Sequence, residues 1–455
     1  MISSSGQPSL SFPHPWNHRN RHRPPSQQPS TLVLQCALTK QGHRFLSTLT
    51  VKAGDPSATA KLIGKFVGST PKSISLNALS HLLAPDTTHP HLTPLAFPLY
   101  SRIKEESWFD FNTKLVADLA ALLDKQGKHR ESEALISETS AKLGNRQREI
   151  SIFYCNLLES CSKRSSKHGF DSSYSYLCQL LENSSSVYVK RRVFESVVGG
   201  LCTMDRPGEA ESLIEEMKDK GLKPSVFEFR SVMYSYGRLG LLEDMIRIAN
   251  QMESEGLEID TVSSNMILSS YGVNRDLPQM VLWLRKMKAS GIPFSIRTYN
   301  TVLNSCPTIM QRLQSLNEIP LSMELNETLS GEEAQLVSEL VGSKVLEEVM
   351  VWDSSQAKLD LHGMHLGSAY VIMLEWMLEL QNRFSNGKHG VPAEVVVVCG
   401  SGKHSNVRGV SPVKVLIKEM MIRTGSPLKI DRKNAGCFVA KGKTVKDWLC
   451  HLQLT

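Results

Sequence analysis

The 455-residue sequence lacks three features that would assign it to common classes of protein. No stretch approaches the roughly 18 consecutive apolar residues of a membrane-spanning helix, so we expect no membrane span. The nine cysteines are scattered and none forms a Cys-x-x-Cys pair, which argues against zinc and favours reduced, buried thiols. Residues 1–54 contain no aspartate or glutamate.

The acid-free segment 1–54 carries six basic residues and is rich in serine, proline, glutamine and histidine. This composition is typical of an organelle transit peptide, and the long apolar core of a secretory signal is missing. The run Val-Leu-Gln-Cys-Ala at 33–37 looks like a plastid processing site, with cleavage near Cys36. We therefore predict a chloroplast location, with the mitochondrion as the alternative. A plain disordered tail is the other interpretation.

Basic charge lies at the two ends of the chain, although the net charge is +7. Residues 355–455 hold 14 basic against seven acidic residues, whereas residues 55–354 hold 32 basic against 38 acidic residues. A polyanion is therefore attracted first to the C-terminal hundred residues. The slightly acidic middle of the chain argues against strong nonspecific binding of a polyanion there.

A 35-residue period organises the middle of the chain. It is carried by one set of methionines and one set of glycines: Met217, Met252 and Met287, and Gly221, Gly256 and Gly291. A glycine just after a helix is a stop signal, and a period of this length predicts helix-turn-helix units that stack to bury their apolar faces. We place the units at 191–225, 226–260 and 261–295, with a degenerate region at 296–354.

The flanks of this array are less regular. Residues 55–104 hold several prolines, which predict a linker or an irregular cap. Residues 105–190 show helical periodicity and predict two degenerate helical pairs that cap the array. A helix is also predicted over Glu332–Val349, where it would close the solenoid.

Residues 355–455 change character and predict strands as well as helices. The predicted elements are a strand at 358–362, a helix at 367–383, a buried strand at 395–398, a helix at 413–422, and short strands around 428–430 and 437–439. The order βαβαββ implies a small α/β sandwich. The predicted fold class is therefore an α-solenoid of helix-turn-helix repeats followed by a small α/β sandwich domain.

The first C-terminal strand carries a candidate catalytic pair. Alternation along a strand directs Leu359 and Leu361 into the core and puts Asp360 and His362 together on the opposite face. A carboxylate beside an imidazole can orient it as a base, or the two can hold a divalent metal. A solvated or capping pair at a strand end is the alternative.

A glycine-rich turn follows the buried strand. Gly400 and Gly402 let the backbone approach a ligand, and the next helix offers its N-terminus to a phosphate. Lys403 and His404 add cationic or proton-donating side chains. The pattern is neither the dinucleotide nor the triphosphate fingerprint, which disfavours a nucleotide cofactor. An ordinary tight turn is the alternative.

Two resemblances follow from these motifs. The 35-residue unit resembles the pentatricopeptide repeat, through Met-x-x-x-Gly-Leu-Lys-Pro at 217–224 and Arg-Thr-Tyr-Asn-Thr-Val-Leu at 297–303. The tetratricopeptide repeat has a period of about 34, and its tryptophan- and alanine-rich pattern is absent. Residues 357–450 resemble the small MutS-related domain, through Leu-Asp-x-His-Gly at 359–363 and Gly-x-Gly-x-His-Ser at 400–405, with Cys399 in place of the family's threonine.

The first resemblance implies binding of single-stranded RNA, one base per unit, without a cofactor. In this family the fifth and last residues of each unit read the base. The matching positions are Glu195 with Ser225, Arg230 with Asp260, Asn265 with Ser295, and Asn300 with a partner near Ser330. Only Asn265 with Ser295 matches a familiar pairing, for a pyrimidine. With so few units we expect modest affinity, a protein partner, or both.

The second resemblance implies nucleic-acid binding and, in some members, endonuclease activity. Binding would involve Gly400, Gly402, Lys403 and Ser405, and cleavage would involve Asp360, His362 and His404, with Mg²⁺ if the domain cleaves. Two functions remain open at this point. One is a plastid RNA-binding protein for RNA processing or expression that also cleaves RNA. The other is a noncatalytic RNA-binding adaptor in a plastid gene-expression complex.

Overall fold

The computed structural model describes residues 38–52, 54–316, 318–321, 329, 331–343, 347, 349–385, 390–400 and 411–451. The chain forms two compact units, which divide between Phe109 and Asp110. Every helix in the described ranges is too short or too polar to span a bilayer.

The N-terminal unit is helical. Its elements are α1 (Lys40–Lys52), α2 (Pro56–Ser69), α3 (Lys72–Leu82), a 3₁₀ helix (Pro90–Leu95) and α4 (Ala96–Lys104). Residues 55–104, predicted as a linker or an irregular cap, are mostly helical. Proline does not prevent the α-helices because it lies in their first turns, where a backbone N–H has no helical partner, whereas Pro94 lies inside the short 3₁₀ helix. Pro56 begins α2 directly after the N-cap Asp55, and Pro98 is the third residue of α4.

Helix α1 lies inside the segment predicted as a transit peptide. Phe45 of α1 stacks on Phe66 of α2 with ring centroids 3.7 Å apart, and Leu46 and Leu49 are fully buried. The folded unit therefore includes Lys40 onward, and the transit peptide over residues 1–54 stays a prediction. The predicted processing site at 33–37 lies outside the described residues.

Helical pairs follow one another along the first part of the second unit. They are α5 (Thr113–Lys125) with α6 (His129–Leu143), α7 (Gln147–Lys163) with α8 (Lys167–Asn183), α9 (Val187–Thr203) with α10 (Pro207–Asp219), α11 (Val226–Arg238) with α12 (Leu242–Ser254), α13 (Thr261–Val273) with α14 (Leu277–Ala289), and α15 (Ile296–Asn304) with α16 (Pro307–Arg312). This is the helical repeat solenoid that the period predicts. Helix α9 begins four residues before the predicted unit boundary at 191.

The periodic residues have two distinct roles. The three methionines are fully buried between helices, whereas the three glycines have φ of 73°, 75° and 67° and end the second helix of each unit. A second left-handed set lies between the two helices of each unit, at Asp205, Gly240 and Arg275, with φ of 61°, 76° and 58°. The sequence does not reveal this set because only one of its members is glycine.

After the repeats, α17 (Gly331–Val341) packs against the array. The predicted helix over Glu332–Val349 is too long, because α17 ends at Val341 and Gly342 follows it. Glycine lowers helix stability by about 1 kcal/mol relative to alanine, so it is a natural end point.

The C-terminal part forms a five-stranded sheet in the order β1-β2-β3-β5-β4 within the described residues. The strands are β1 (Met350–Trp352), β2 (Gln356–Asp360), β3 (Glu394–Val398), β4 (Lys429–Ile430) and β5 (Cys437–Lys441), and the helices are α18 (Leu366–Ser385), α19 (Pro412–Arg423) and α20 (Gly442–His451). From β2 to β5 the elements read strand, helix, strand, helix, strand, strand. The sequence did not predict β1 or α20.

The pairing of β2 with β3 determines where the motifs lie. These two strands are parallel, with Leu359 opposite Val397 and Asp360 opposite Val398. The other pairs are antiparallel. The carboxyl ends of β2 and β3 therefore meet at one edge of the sheet, and both C-terminal motifs begin at this edge. We call it the motif edge.

Candidate nucleic-acid interface

The two C-terminal motifs are neighbours at the motif edge. The backbone N–H of Leu361 donates to the Val398 carbonyl at 2.9 Å, which continues the β2–β3 pairing past the strand end. Gly400 has φ of 78°, and a Cβ at this position would lie only 3.4 Å from Cδ2 of His362. Residues about forty positions apart in the sequence are thus in contact.

Asp360 and His362 do not form the predicted couple. The Asp360 Oδ1 accepts a hydrogen bond from the backbone N–H of His362 at 2.9 Å, and its Oδ2 lies 3.9 Å from the Lys358 Nζ. The carboxylate therefore shapes the loop that follows β2. The strand ends at Asp360, so strand alternation does not extend to His362, whose side chain is exposed.

The turn between β4 and β5 completes the motif edge and brings cations to it. The N–H of Cys399 donates to the Gly436 carbonyl at 2.8 Å, and a Cβ on Gly436 would lie 3.1 Å from the Gly400 carbonyl carbon. Arg432 and Lys433, in the same turn as Gly436, are exposed. This edge therefore combines an imidazole, a glycine turn and exposed cations.

Cys399, at the start of the glycine-rich turn, is buried. Burial raises the pKa of its thiol to about 12, so the thiol is neutral at physiological pH. Its carbonyl accepts from the Ser411 hydroxyl at 3.1 Å, and Ser411 caps α19 by accepting from the Lys414 N–H at 3.3 Å. Gly402, Lys403, His404 and Ser405 lie outside the described residues, and their predicted roles stay predictions.

In the array, the predicted last residues of the units share one structural role. Ser225, Asp260 and Ser295 are the N-caps of the next unit's first helix. Serine and aspartate accept hydrogen bonds from free N–H groups at helix starts, so capping alone accounts for these residue types.

The predicted base-reading pairs meet in two of the three full units. Arg230 Nη2 donates to Asp260 Oδ1 at 2.5 Å, and Asn265 Nδ2 donates to Ser295 Oγ at 3.3 Å. Arg230 also donates to Ser263 Oγ at 2.9 Å. Burial raises the pKa of Asp260, but the Ser263 N–H and the Arg230 guanidinium outweigh burial and hold the pKa below its ordinary value. Residues 30 positions apart are thus side by side.

The first full unit is different. Ser225 is engaged by Glu228, whose Oε2 accepts from the Ser225 N–H at 2.8 Å and from its hydroxyl at 2.6 Å. Burial, together with the nearby Glu228 carboxylate, raises the pKa of Glu195 above its ordinary value. Burial and a nearby acid therefore both oppose the charged form of Glu195.

Asn300, predicted to read a base, contacts a loop of the C-terminal part. Its Nδ2 donates to the Gly363 carbonyl at 2.9 Å, and its Oδ1 accepts from the His365 N–H at 2.8 Å. Both amide atoms are therefore used to hold the loop that follows Asp360 and His362. Asn304 adds a contact of 2.7 Å to Nδ1 of His365. We call this the asparagine clamp, formed by Asn300 and Asn304.

The asparagine clamp is supported by packing. A Cβ at Gly367 would lie 3.2 Å from Cβ of Leu303, so the start of α18 lies close against α15. Partial burial of the ring lowers the pKa of His365 below its ordinary value of 6.5, which favours the neutral ring beside Asn304. Sequence reasoning missed the clamp because its partners are more than 60 residues apart and no local pattern marks them.

Comparison with known proteins agrees with the repeat architecture. Residues 247–308 match the pentatricopeptide repeat domain family, and residues 192–222 and 229–257 match the PPR repeat family. The Arabidopsis thaliana pentatricopeptide repeat-containing protein At2g17033 is 56% identical over 416 residues, which cover 91% of this chain and 82% of that protein. At1g74750 from the same plant is 32% identical over 91 residues, which cover 20% of this chain and 10% of that protein.

Among solved structures, the chain is similar to the maize pentatricopeptide repeat protein PPR10, with 14% identity and a TM-score of 0.27. The match covers 66% of this chain and 53% of PPR10, so the chain spans about half the length of that protein. Because the Arabidopsis relative At2g17033 is similar over most of both sequences, this chain belongs to the pentatricopeptide repeat family.

Proposed function

We propose that this protein binds single-stranded RNA through its helical array and through the motif edge of its C-terminal sheet, and that it acts in plastid RNA processing or expression. The observation that carries the proposal is the meeting of the fifth and last residues of a unit, in Arg230 with Asp260 and Asn265 with Ser295. A two-residue readout of a base requires this placement. The acid-free N-terminal segment supports the plastid location.

Only part of the array reads bases in this proposal. Arg230 and Asp260 satisfy each other, the first unit has Ser225 tied to Glu228, and Asn300 belongs to the asparagine clamp. Asn265 with Ser295 remains as the pair that matches a known readout. Affinity therefore depends on phosphate contacts elsewhere, and the basic C-terminal part supplies them.

The motif edge is the proposed phosphate-binding surface. Arg432 and Lys433 are exposed in a turn that contacts Gly400, and a glycine has no side chain to keep a phosphate group from the backbone. Lys443 and Lys446 of α20 provide a comparison, because Gly442 donates to the Ala393 carbonyl at the opposite end of β3. The same charge change can therefore be made at either end of the sheet.

The test compares Arg432→Gln/Lys433→Gln with Lys443→Gln/Lys446→Gln in binding to a single-stranded RNA at several salt concentrations. If each motif-edge residue contacts one phosphate, the first variant lowers the slope of log affinity against log salt by about 1.4. The second variant should lower it far less. Equal slopes for the two variants would remove the motif edge from the proposal.

A second candidate function is RNA cleavage at the same edge, and it is favoured by the position of the exposed His362 close to Gly400. The exposed imidazole takes the proton of an attacking hydroxyl while the oxygen of that hydroxyl bonds to phosphorus and the phosphorus–oxygen bond to the leaving group breaks. The leaving oxygen takes a proton from water, and the imidazolium returns its proton to the hydroxide that remains. No cluster of three metal-ligand atoms includes Asp360 within the described chain, and Lys358 Nζ lies 3.9 Å from its carboxylate. These residues do not fit a dedicated Mg²⁺ site, and no step is assigned to a metal.

Cleavage is tested with His362→Ala. His362 is exposed and lies in a loop, so the substitution should leave the helices and strands intact. Loss of a general base lowers the rate by about 10²- to 10⁴-fold, while RNA affinity should change little. Asp360→Ala is the matched variant and should also perturb the loop through the lost bond to the His362 N–H. If wild type and His362→Ala cleave RNA at the same rate, His362 is not a general base, and the noncatalytic binding function is favoured.

A further inference from the structure

A second group of chemically active side chains lies in the helical array, far along the sequence from the motif edge. Asp124 is at the end of α5, His129 begins α6, and His168 lies in the first turn of α8. The turn between α5 and α6 and the turn between α7 and α8 therefore bring their polar residues together. None of the three residues belongs to the predicted RNA-binding set.

The ligand atoms of the three side chains converge. Asp124 Oδ1 lies 2.8 Å from His129 Nδ1 and 2.7 Å from His168 Nδ1, and all three atoms lie within 4.8 Å of one another. The two imidazole rings have centroids 4.5 Å apart. One carboxylate oxygen thus faces two imidazole nitrogens, a donor set typical of zinc sites.

The second oxygen of Asp124 is held independently. Its Oδ2 accepts from the Gly169 N–H at 2.8 Å and from the Ser166 hydroxyl. The Asp124 side chain is only 3% exposed, so these bonds fix its orientation in the buried turn. Metal-binding carboxylates are commonly fixed in this way by a hydrogen bond to the oxygen that faces away from the ion.

The site is also accessible. The side chains of His129 and His168 are 47% and 54% exposed, and a cleft beside Asp124 is lined by His168, Glu133 and Tyr154 among others. An ion can therefore enter from solvent and keep a water ligand. Zinc bonds of about 2.0–2.1 Å require the ligand atoms to separate by roughly 0.5 Å, which half-exposed histidines can provide by small side-chain rotations.

We propose that Asp124 Oδ1, His129 Nδ1 and His168 Nδ1 bind one Zn²⁺ ion, with water as the fourth ligand. Two nitrogens and one carboxylate oxygen suit zinc better than Mg²⁺ or Ca²⁺, which prefer all-oxygen ligands. The ion joins the α5–α6 pair to the α7–α8 pair and stabilises the start of the second unit. Cys161 lies near Gly169 but is not one of the three converging ligand groups.

The test uses the full chain and the variant His129→Gln/His168→Gln. Glutamine keeps an N–H donor for Asp124 but is a poor zinc ligand, so the variant should fold. Asp124 is not substituted, because it accepts hydrogen bonds from the Gly169 N–H and the Ser166 hydroxyl. The control is His81→Gln/His89→Gln, which alters another pair of neighbouring histidines, with ring centroids 5.7 Å apart.

After dialysis against Zn²⁺, metal analysis should find about one more zinc ion per chain in wild type and in the control than in the His129/His168 variant. Zinc should also raise the melting temperature of the first two proteins by several degrees and leave that of the variant unchanged. Replacement by Co²⁺ should give tetrahedral d–d absorption that the variant lacks. Equal zinc content and equal thermal shifts in wild type and the variant would overturn the proposal and leave the histidines as hydrogen-bond donors to Asp124.

Discussion

At the scale of single residues, Asn300 shows how position in a repeat and role in a fold can differ. It is the fifth residue of its unit, where this family reads a base, yet both its amide atoms bond to the backbone of residues 363 and 365. An asparagine side chain can hydrogen-bond to the edge of a base or to a backbone loop equally well, because each offers a donor and an acceptor. In the folded protein, the Asn300 amide is hydrogen-bonded to the loop.

The asparagine clamp leads to a prediction about stability. Asn300→Ala removes two hydrogen bonds and leaves a backbone carbonyl and a backbone N–H without that partner. We expect a loss of about 2 kcal/mol in the free energy of unfolding, measured by urea denaturation. Asn304→Ala is the control and should lose about 0.5 kcal/mol, since its contact is exposed. A loss for Asn300→Ala no larger than that of the control would show that the amide does not hold the loop.

At the scale of elements, the 35-residue period depends on backbone conformation as well as on burial. The second helix of each full unit ends at a glycine with positive φ, and nothing lies within 4 Å of a Cβ built at Gly221, Gly256 or Gly291. Space therefore does not require glycine at these positions. The left-handed conformation does, because it brings a Cβ too close to a carbonyl oxygen.

Gly256→Ala tests this point in the centre of the array. The substitution should lower the free energy of unfolding by about 1 kcal/mol through strain in the left-handed conformation alone. Gly208→Ala is the matched control, because Gly208 lies in the first turn of α10 and its Cβ would meet only the Tyr236 hydroxyl oxygen at 3.8 Å. The control should be neutral or stabilise by up to about 1 kcal/mol. Equal effects in thermal unfolding would contradict the assignment.

At the scale of the whole molecule, the basic charge and the proposed base-reading pair lie in different parts of the chain. Residues 55–354 are slightly acidic, whereas the last hundred residues carry an excess of seven basic residues. The array and the sheet belong to one compact unit, and the asparagine clamp joins them. The pair Asn265 with Ser295 therefore stays at a fixed distance from the motif edge.

This division predicts the outcome of selecting RNA from a random pool with the full protein. We expect base preference at one position, for a pyrimidine, and little preference elsewhere, because Asn265 with Ser295 is the one pair that matches a familiar base-reading pairing. Asn265→Ala should abolish the pyrimidine preference at that RNA position. It should reduce the affinity for RNA about threefold or less, since phosphate contacts dominate binding. Strong preferences at two or more positions would contradict the single-pair readout.

The sequence by itself determined the repeat architecture and the nature of the C-terminal part. Burial at a fixed spacing is a local property, since Met217, Met252 and Met287 each follow from the apolar face of one helix. It predicted strands at β2 and β3 for the same reason, through alternation and a short apolar run. The sequence did not predict the helices at residues 55–104, because prolines at helix starts cannot be distinguished in the sequence from prolines in loops.

Only the tertiary structure decided what the candidate residues contact. Strand alternation predicted Asp360 and His362 as a couple, but β2 ends at Asp360 and the carboxylate bonds to the next loop's backbone. The asparagine clamp, the contact between His362 and Gly400, and the convergence of Asp124 with His129 and His168 all join residues from separate elements. Their partners depend on strand register and on how helices pack, and no local pattern in the chain encodes either one.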